Sequence, residues 1–186
     1  MATVSRLGIG RFRIWIFDGL LNHEHIGRLE LFLKGAAYRR TEVATPETPH
    51  ITHHAVEFSQ EQTQHMGLVE PTLFALKQFA PELLFSIHRQ YCNACYFGDL
   101  LLPHRDALPG QKDVTALWYL NAHWELPWGG ATQFFDEVAG TAIAVLPKPG
   151  RLVLFDGELL HVGLAPNRQC FEPRLTLAIK LFPKGT

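Results

Sequence analysis

Tyr96-Phe97-Gly98-Asp99-Leu100-Leu101-Leu102-Pro103-His104-Arg105-Asp106 is the stretch on which the fold turns. It ends in His-x-Asp, an imidazole and a carboxylate two positions apart. On extended backbone, positions i and i+2 point to the same face, so both side chains can converge on one metal ion while Arg105 points away. Gly98-Asp99 marks a turn just ahead of it. Taken alone, the pair reads more readily as a strand-end histidine bonded to a nearby aspartate. A third ligand from elsewhere in the chain would separate the two.

Working outward, Gly150-Arg151-Leu152-Val153-Leu154-Phe155-Asp156-Gly157-Glu158-Leu159-Leu160-His161 is an apolar strand, a turn and then a histidine. In a jelly roll, two distant strands meet across one barrel mouth, which would bring His161 to His104 and Asp106. Two histidines and one carboxylate make the facial triad of non-haem Fe(II) oxygenases, which leaves coordination positions open. Further on, Leu175, Leu177 and Ile179 alternate with Arg174, Thr176 and Ala178. One face is apolar; the other opens with a guanidinium and then a hydroxyl. A buried arginine needs an anionic partner, and the carboxylate of a bound ligand suits its planar fork. The plainer alternative is a structural ion pair with Glu172 or Glu137.

The pattern around these stretches is mainly β. Extended runs are expected at Phe12–Phe17, Leu84–Tyr96, Val114–Asn121, Ala131–Phe135, Thr141–Val145, Arg151–Phe155 and Arg174–Phe182, separated by Gly, Pro and Asn. Ala55–Phe58 reads as a further short strand inside a loop-like region from Ala36 to Gln64. Two helices come early. One runs from about His23 to Lys34, capped by Asn22 and stopped by Gly35, and the other from Pro71 to Phe79. Two helices followed by short strands predict a jelly roll with the helices packed outside. The 186 residues suit a single domain, 1–186, with a helix-and-strand part over about 1–83 and a jelly-roll core over about 84–182.

With 47% hydrophobic residues the chain can build a real core, and a net charge of -1 points to neither nucleic acid nor an anionic membrane. No apolar run approaches the ~20 residues of a membrane span, and Ile14–Phe17 is too short for a signal peptide. Three cysteines, an odd number, argue against a disulfide framework and for a reducing cytoplasm.

From about Tyr91 to Phe182 the chain resembles the Fe(II)/2-oxoglutarate-dependent dioxygenase superfamily, closest in style to its prolyl-hydroxylase-like branch. The resemblance rests on Gly98-Asp99 with His104-Arg105-Asp106, on Trp118-Tyr119-Leu120-Asn121, on Gly129-Gly130-Ala131-Thr132, on Pro149–Phe155 leading to His161, and on Arg174-Leu175-Thr176. It implies a double-stranded β-helix, cupin-like, with Fe(II) held by His104, Asp106 and His161. It also implies 2-oxoglutarate clamped by Arg174 with Thr176 as a second donor, and O2 as co-oxidant. The implied reaction hydroxylates an unactivated carbon and releases succinate and CO2. Halogenating relatives lack the carboxylate that Asp106 supplies, so hydroxylation is expected. For the tyrosine that faces the cosubstrate, Tyr91 and Tyr96 compete. Tyr91 is preferred because it shares a face with Arg89 and Asn93.

Other groups have plainer readings. His50, His53 and His54 form a solvated loop cluster or touch substrate; Cys92 and Cys95 face opposite ways on a strand and act as small hydrophobes. Trp118, Trp124 and Trp128 are core or pocket residues, Asn121 satisfies backbone at a strand end, and His123 lacks the strand-turn setting of His161. The expected substrate is a small molecule, such as an amino acid or a natural-product intermediate. A prolyl or other residue of a protein is the alternative, and a non-catalytic cupin-like metal binder is the third reading.

Overall fold

Strand Arg174–Pro183 (β11) separates the two interiors of the molecule because its side chains alternate. Leu175, Leu177, Ile179 and Leu181 are buried on one side, under the helices, while Arg174, Thr176, Ala178 and Lys180 line a cavity on the other. The computed structural model describes residues 2–184. In it β11 lies inside an eight-stranded antiparallel sheet. The other members are β1 (Thr3–Ile9), β2 (Phe12–Asp18), β3 (Arg39–Val43), β4 (Thr52–Glu57), β5 (Phe85–Cys95), β6 (Val114–Tyr119) and β9 (Leu152–Asp156). Their order is β1-β2-β9-β6-β11-β5-β4-β3.

A second sheet pairs β10 (His161–Gly163), β7 (Thr132–Asp136) and β8 (Thr141–Val145) in that order. His104 bridges to His161 and extends this sheet's free edge. The two sheets close on Phe134 and Val145 from one side and Leu117, Tyr119, Val153 and Phe155 from the other. The expected mainly β jelly roll with helices outside is what the chain forms.

The helices cover the outer face of the large sheet, where Leu29, Leu33, Leu76 and Phe79 meet Trp118, Leu175 and Leu177. Helix α1 (His23–Lys34) starts as expected, with the Asn22 side chain accepting from the His25 N–H at 2.8 Å. Helix α2 (Gln60–His65), not foreseen, carries a full capping box between Ser59 and Gln62. Helix α3 (Val69–Phe79) begins two residues before Pro71. That costs nothing, because the first four helical N–H groups have no intrahelical partner.

Strands β1, β3 and β10 were also unforeseen, and β4 covers Thr52–Glu57 where a strand was expected at Ala55–Phe58. Among the described residues, no helix is long and apolar enough to cross a membrane.

Candidate metal and cosubstrate site

His104 and His161 are locked together by their backbones before their side chains do anything. The His104 N–H donates to the His161 carbonyl at 2.9 Å, and the His161 N–H donates back at 3.0 Å. The Asp106 N–H donates to the Gly157 carbonyl at 2.8 Å. A Cβ on Gly157 would lie 2.9 Å from the Ala107 Cβ and 3.2 Å from the Asp113 carbonyl, so only glycine permits this approach.

The side chains then converge. One ligand atom from each of His104, Asp106 and His161 lies within 4.8 Å of the others. Each imidazole Nε2 sits 3.6 Å from a different Asp106 oxygen, His104 facing Oδ1 and His161 facing Oδ2. Both rings turn Nδ1 to a backbone carbonyl, Leu102 at 3.0 Å and Leu159 at 2.9 Å. A nitrogen facing a carbonyl oxygen carries the proton, so both Nε2 lone pairs are left facing the carboxylate. Burial pushes His161 down to about 4, so its ring is neutral at pH 7. Burial works against the charge on Asp106, but the Lys180 ammonium, joined in acid by the imidazoles once they are protonated, outweighs it and holds the carboxyl well below its usual range. Two imidazole Nε2 atoms and a carboxylate oxygen aimed at one point fit a ferrous ion.

Arg174 is 3% exposed, yet it has no carboxylate partner among the described residues. Its Nε donates to the Gly130 carbonyl at 2.6 Å, Nη2 to the Thr132 hydroxyl at 2.7 Å and Nη1 to the Thr176 hydroxyl at 3.4 Å. The guanidinium lies over the Tyr119 ring, 5.1 Å from its centre. The two acids considered for an ion pair are engaged elsewhere, Glu172 with Lys34 and Glu137 with Arg105. A buried, positioned and unpaired cation fits the carboxylate of a dicarboxylate ligand. Asn121 brackets it, accepting from the Leu175 N–H and donating to the Pro173 carbonyl, each at 2.8 Å.

Triad and guanidinium open into one cavity of about 330 Å³. Tyr91 is on its wall, buried, with the Arg89 guanidinium stacked 4.4 Å from its ring centre. Tyr96 is 43% exposed and does not line the cavity. The β3–β4 hairpin, beyond β5 in the same sheet as β11, adds Glu42, Val43, Ala44 and His53 to the lining. The three early histidines do not gather: His53 lines the cavity, His54 packs edge-on against Tyr96, and His50 is exposed. His123 is an exposed partner of Glu125. Cys92 and Cys95 are buried and unpaired, and Trp118 is a core residue whose indole N–H donates to the Thr72 hydroxyl at 2.9 Å.

Four residues of the site had no role assigned from the sequence, although Tyr119 and Thr132 lie in two of the motifs that carry the resemblance. Thr132 and Tyr119 hold Arg174, the tyrosine hydroxyl donating to the Thr132 hydroxyl at 2.7 Å. Thr115 donates to Asp106 Oδ2 at 2.5 Å, and Lys180 makes an ion pair with the same oxygen. Lys180 was available to sequence reasoning, because the alternation that starts at Arg174 reaches it two residues past Ala178.

Residues 90–179 match the 2OG-Fe(II) oxygenase superfamily. No curated protein sequence matches the chain. Among solved structures it is similar to a prolyl-4-hydroxylase of Pseudomonas putida, with 19% identity and a TM-score of 0.68 over 92% of this chain and 93% of that one. It is similar to SnoN, the non-heme alpha ketoglutarate dependent epimerase of nogalamycin biosynthesis, with 15% identity and a TM-score of 0.66 over 91% of this chain and 78% of that one. AviO1 from Streptomyces viridochromogenes Tue57 gives 15% identity and a TM-score of 0.66 over 98% of this chain and 90% of that one. At these identities the likeness is one of fold.

Proposed function

The 2OG-Fe(II) oxygenase domain at residues 90–179 makes this protein a dioxygenase that uses Fe(II), 2-oxoglutarate and O2, and from that premise we propose that it hydroxylates a small molecule, such as an amino acid or a natural-product intermediate. His104, Asp106 and His161 hold the metal, and Arg174 with Thr176 holds the distal carboxylate of 2-oxoglutarate. Tyr91 faces the cosubstrate. Once bound, iron and 2-oxoglutarate together supply the oxidising power: O2 is consumed, succinate and CO2 leave, and one oxygen atom enters a C–H bond of the substrate.

The chain's own work is to position and to shield. Nδ1 bonds to Leu102 and Leu159 fix both ring orientations. Thr132 and Gly130 aim the guanidinium. Leu117 and Phe155 give the cavity an apolar wall that limits water around the reacting centre. The observation that carries the reading is a buried guanidinium without an anion, opening into the same cavity as a metal-ready triad. The small-molecule preference is supported by the cavity's size, about 330 Å³, at the scale of pockets that enclose small ligands. The buried, unpaired cysteines suit the cytoplasm.

Likeness to prolyl hydroxylases supports a second reading, hydroxylation of a prolyl or other residue in a partner protein. Succinate release with Fe(II), 2-oxoglutarate and O2 separates the two. Stimulation by free amino acids or metabolites is expected. Stimulation by proline-containing peptides and by no small molecule would reverse the order.

A further inference from the structure

The Lys180 ammonium sits beside the candidate metal-binding carboxylate, and nothing in the proposed reaction requires a cation there. Its Nζ makes the ion pair with Asp106 Oδ2 and donates to the Thr115 hydroxyl at 3.3 Å, over the Tyr91 ring. The side chain is 14% exposed and the Asp106 side chain 7%, so water screens the pair poorly. Neighbouring charges are already committed. Arg89, directly across the strand pair from Lys180, is held by Glu42 and Glu57. Arg105 is held by Glu137.

The inner cavity therefore carries one anion, Asp106, and two cations, Lys180 and Arg174. We infer that Lys180 is a built-in counter-cation that competes with the metal for Asp106, lowers the site's affinity for metal alone, and makes metal retention depend on the dianionic cosubstrate. The inference rests on the metal-site reading above. A divalent ion entering the triad meets an ammonium already bound to one of its ligands, and the two repel. A dicarboxylate that spans from Arg174 to the metal adds two negative charges and relieves that repulsion. Metal and cosubstrate then strengthen each other's binding by the same factor, as linkage requires. Thr115 contacts the same carboxylate oxygen without a charge and contributes only a hydrogen bond.

The test is a calorimetric titration of Mn(II) into wild type, Lys180→Gln and Lys180→Arg, each with and without 2-oxoglutarate. Gln keeps a donor for Oδ2 and removes the charge; Arg keeps the charge. Lys180→Gln should bind Mn(II) alone about tenfold or more tighter than wild type, and 2-oxoglutarate should enhance its binding less. Lys180→Arg should stay near wild type on both counts. Metal-free Lys180→Gln should melt at a lower temperature, because Asp106 loses its partner, and should recover more than wild type on adding Mn(II). Equal or weaker Mn(II) binding by Lys180→Gln overturns the inference. So does an equal gain in Lys180→Arg, or a Gln variant that folds neither with nor without Mn(II). Wild type that binds no Mn(II) would instead remove the metal-site reading itself.

Discussion

His104 and His161 exchange backbone hydrogen bonds, each N–H donating to the other's carbonyl at 2.9 and 3.0 Å, while their ring centres stand 4.5 Å apart. Ring separation is thus set by the β-bridge and not by the metal. The two histidines are therefore preorganised by backbone pairing alone.

This separates the three candidate ligands by what each does besides facing the metal position. The His104 side chain is 23% exposed, whereas Asp106 is the anionic partner of Lys180, whose side chain is 14% exposed. His104→Ala should abolish Mn(II) binding with little change in thermal stability. Asp106→Ala should abolish it and also cost about 3 kcal/mol, because a partly buried ammonium is left unpaired. Chemical denaturation of both metal-free variants checks this; equal stability would mean that the Lys180–Asp106 pair contributes nothing to the fold.

Arg174 should behave in the opposite way. It has no anionic partner among the described residues, so Arg174→Met should not destabilise the ligand-free protein through a broken ion pair. It should weaken 2-oxoglutarate about a hundredfold, the equivalent of roughly 3 kcal/mol. Thermal shift with rising 2-oxoglutarate reads both effects, and an undiminished shift in the variant would reject the clamp.

Gly130 has φ +71°, and a Cβ there would stand 2.9 Å from the Trp124 ring and 3.2 Å from the Arg174 Cδ. Gly130→Ala should cost on the order of 1–3 kcal/mol through backbone strain. By displacing the guanidinium it should also raise the KM for 2-oxoglutarate. A variant destabilised but with unchanged KM would place Arg174 outside cosubstrate binding.

The metal-free protein should lose stability in mild acid through His161. Burial depresses its folded value to about 4 from an unfolded 6.5, so the unfolded chain binds more protons between those pH values. Its contribution is complete above pH 6.5 and falls away towards pH 4, by roughly 3 kcal/mol at most. His161→Leu should show a shallower decline over that window in urea unfolding. Parallel wild-type and variant curves would contradict a neutral, buried His161. The depressed carboxyl of Asp106 adds its own loss only at lower pH.

What the sequence determined by itself is whatever depends on neighbours along the chain. Asn22 and Gly35 bound α1 because capping is a local hydrogen-bond problem. Alternation along Arg174–Ile179 assigned Arg174 and Thr176 to one face, because strand period is a backbone property. His-x-Asp placed two ligand candidates together for the same reason. Ser59-x-x-Gln62 was equally local and legible, but the polar run around it hid α2. Tertiary structure alone decided who stands opposite whom. No local pattern reveals that the short β10 pairs with His104, that the β3–β4 hairpin walls the cavity, or that Thr132 and Tyr119 hold Arg174. It also decided that Lys180 meets Asp106. A period says which way a side chain points, but the group it meets comes from a distant segment brought up by sheet pairing, which is a long-range choice.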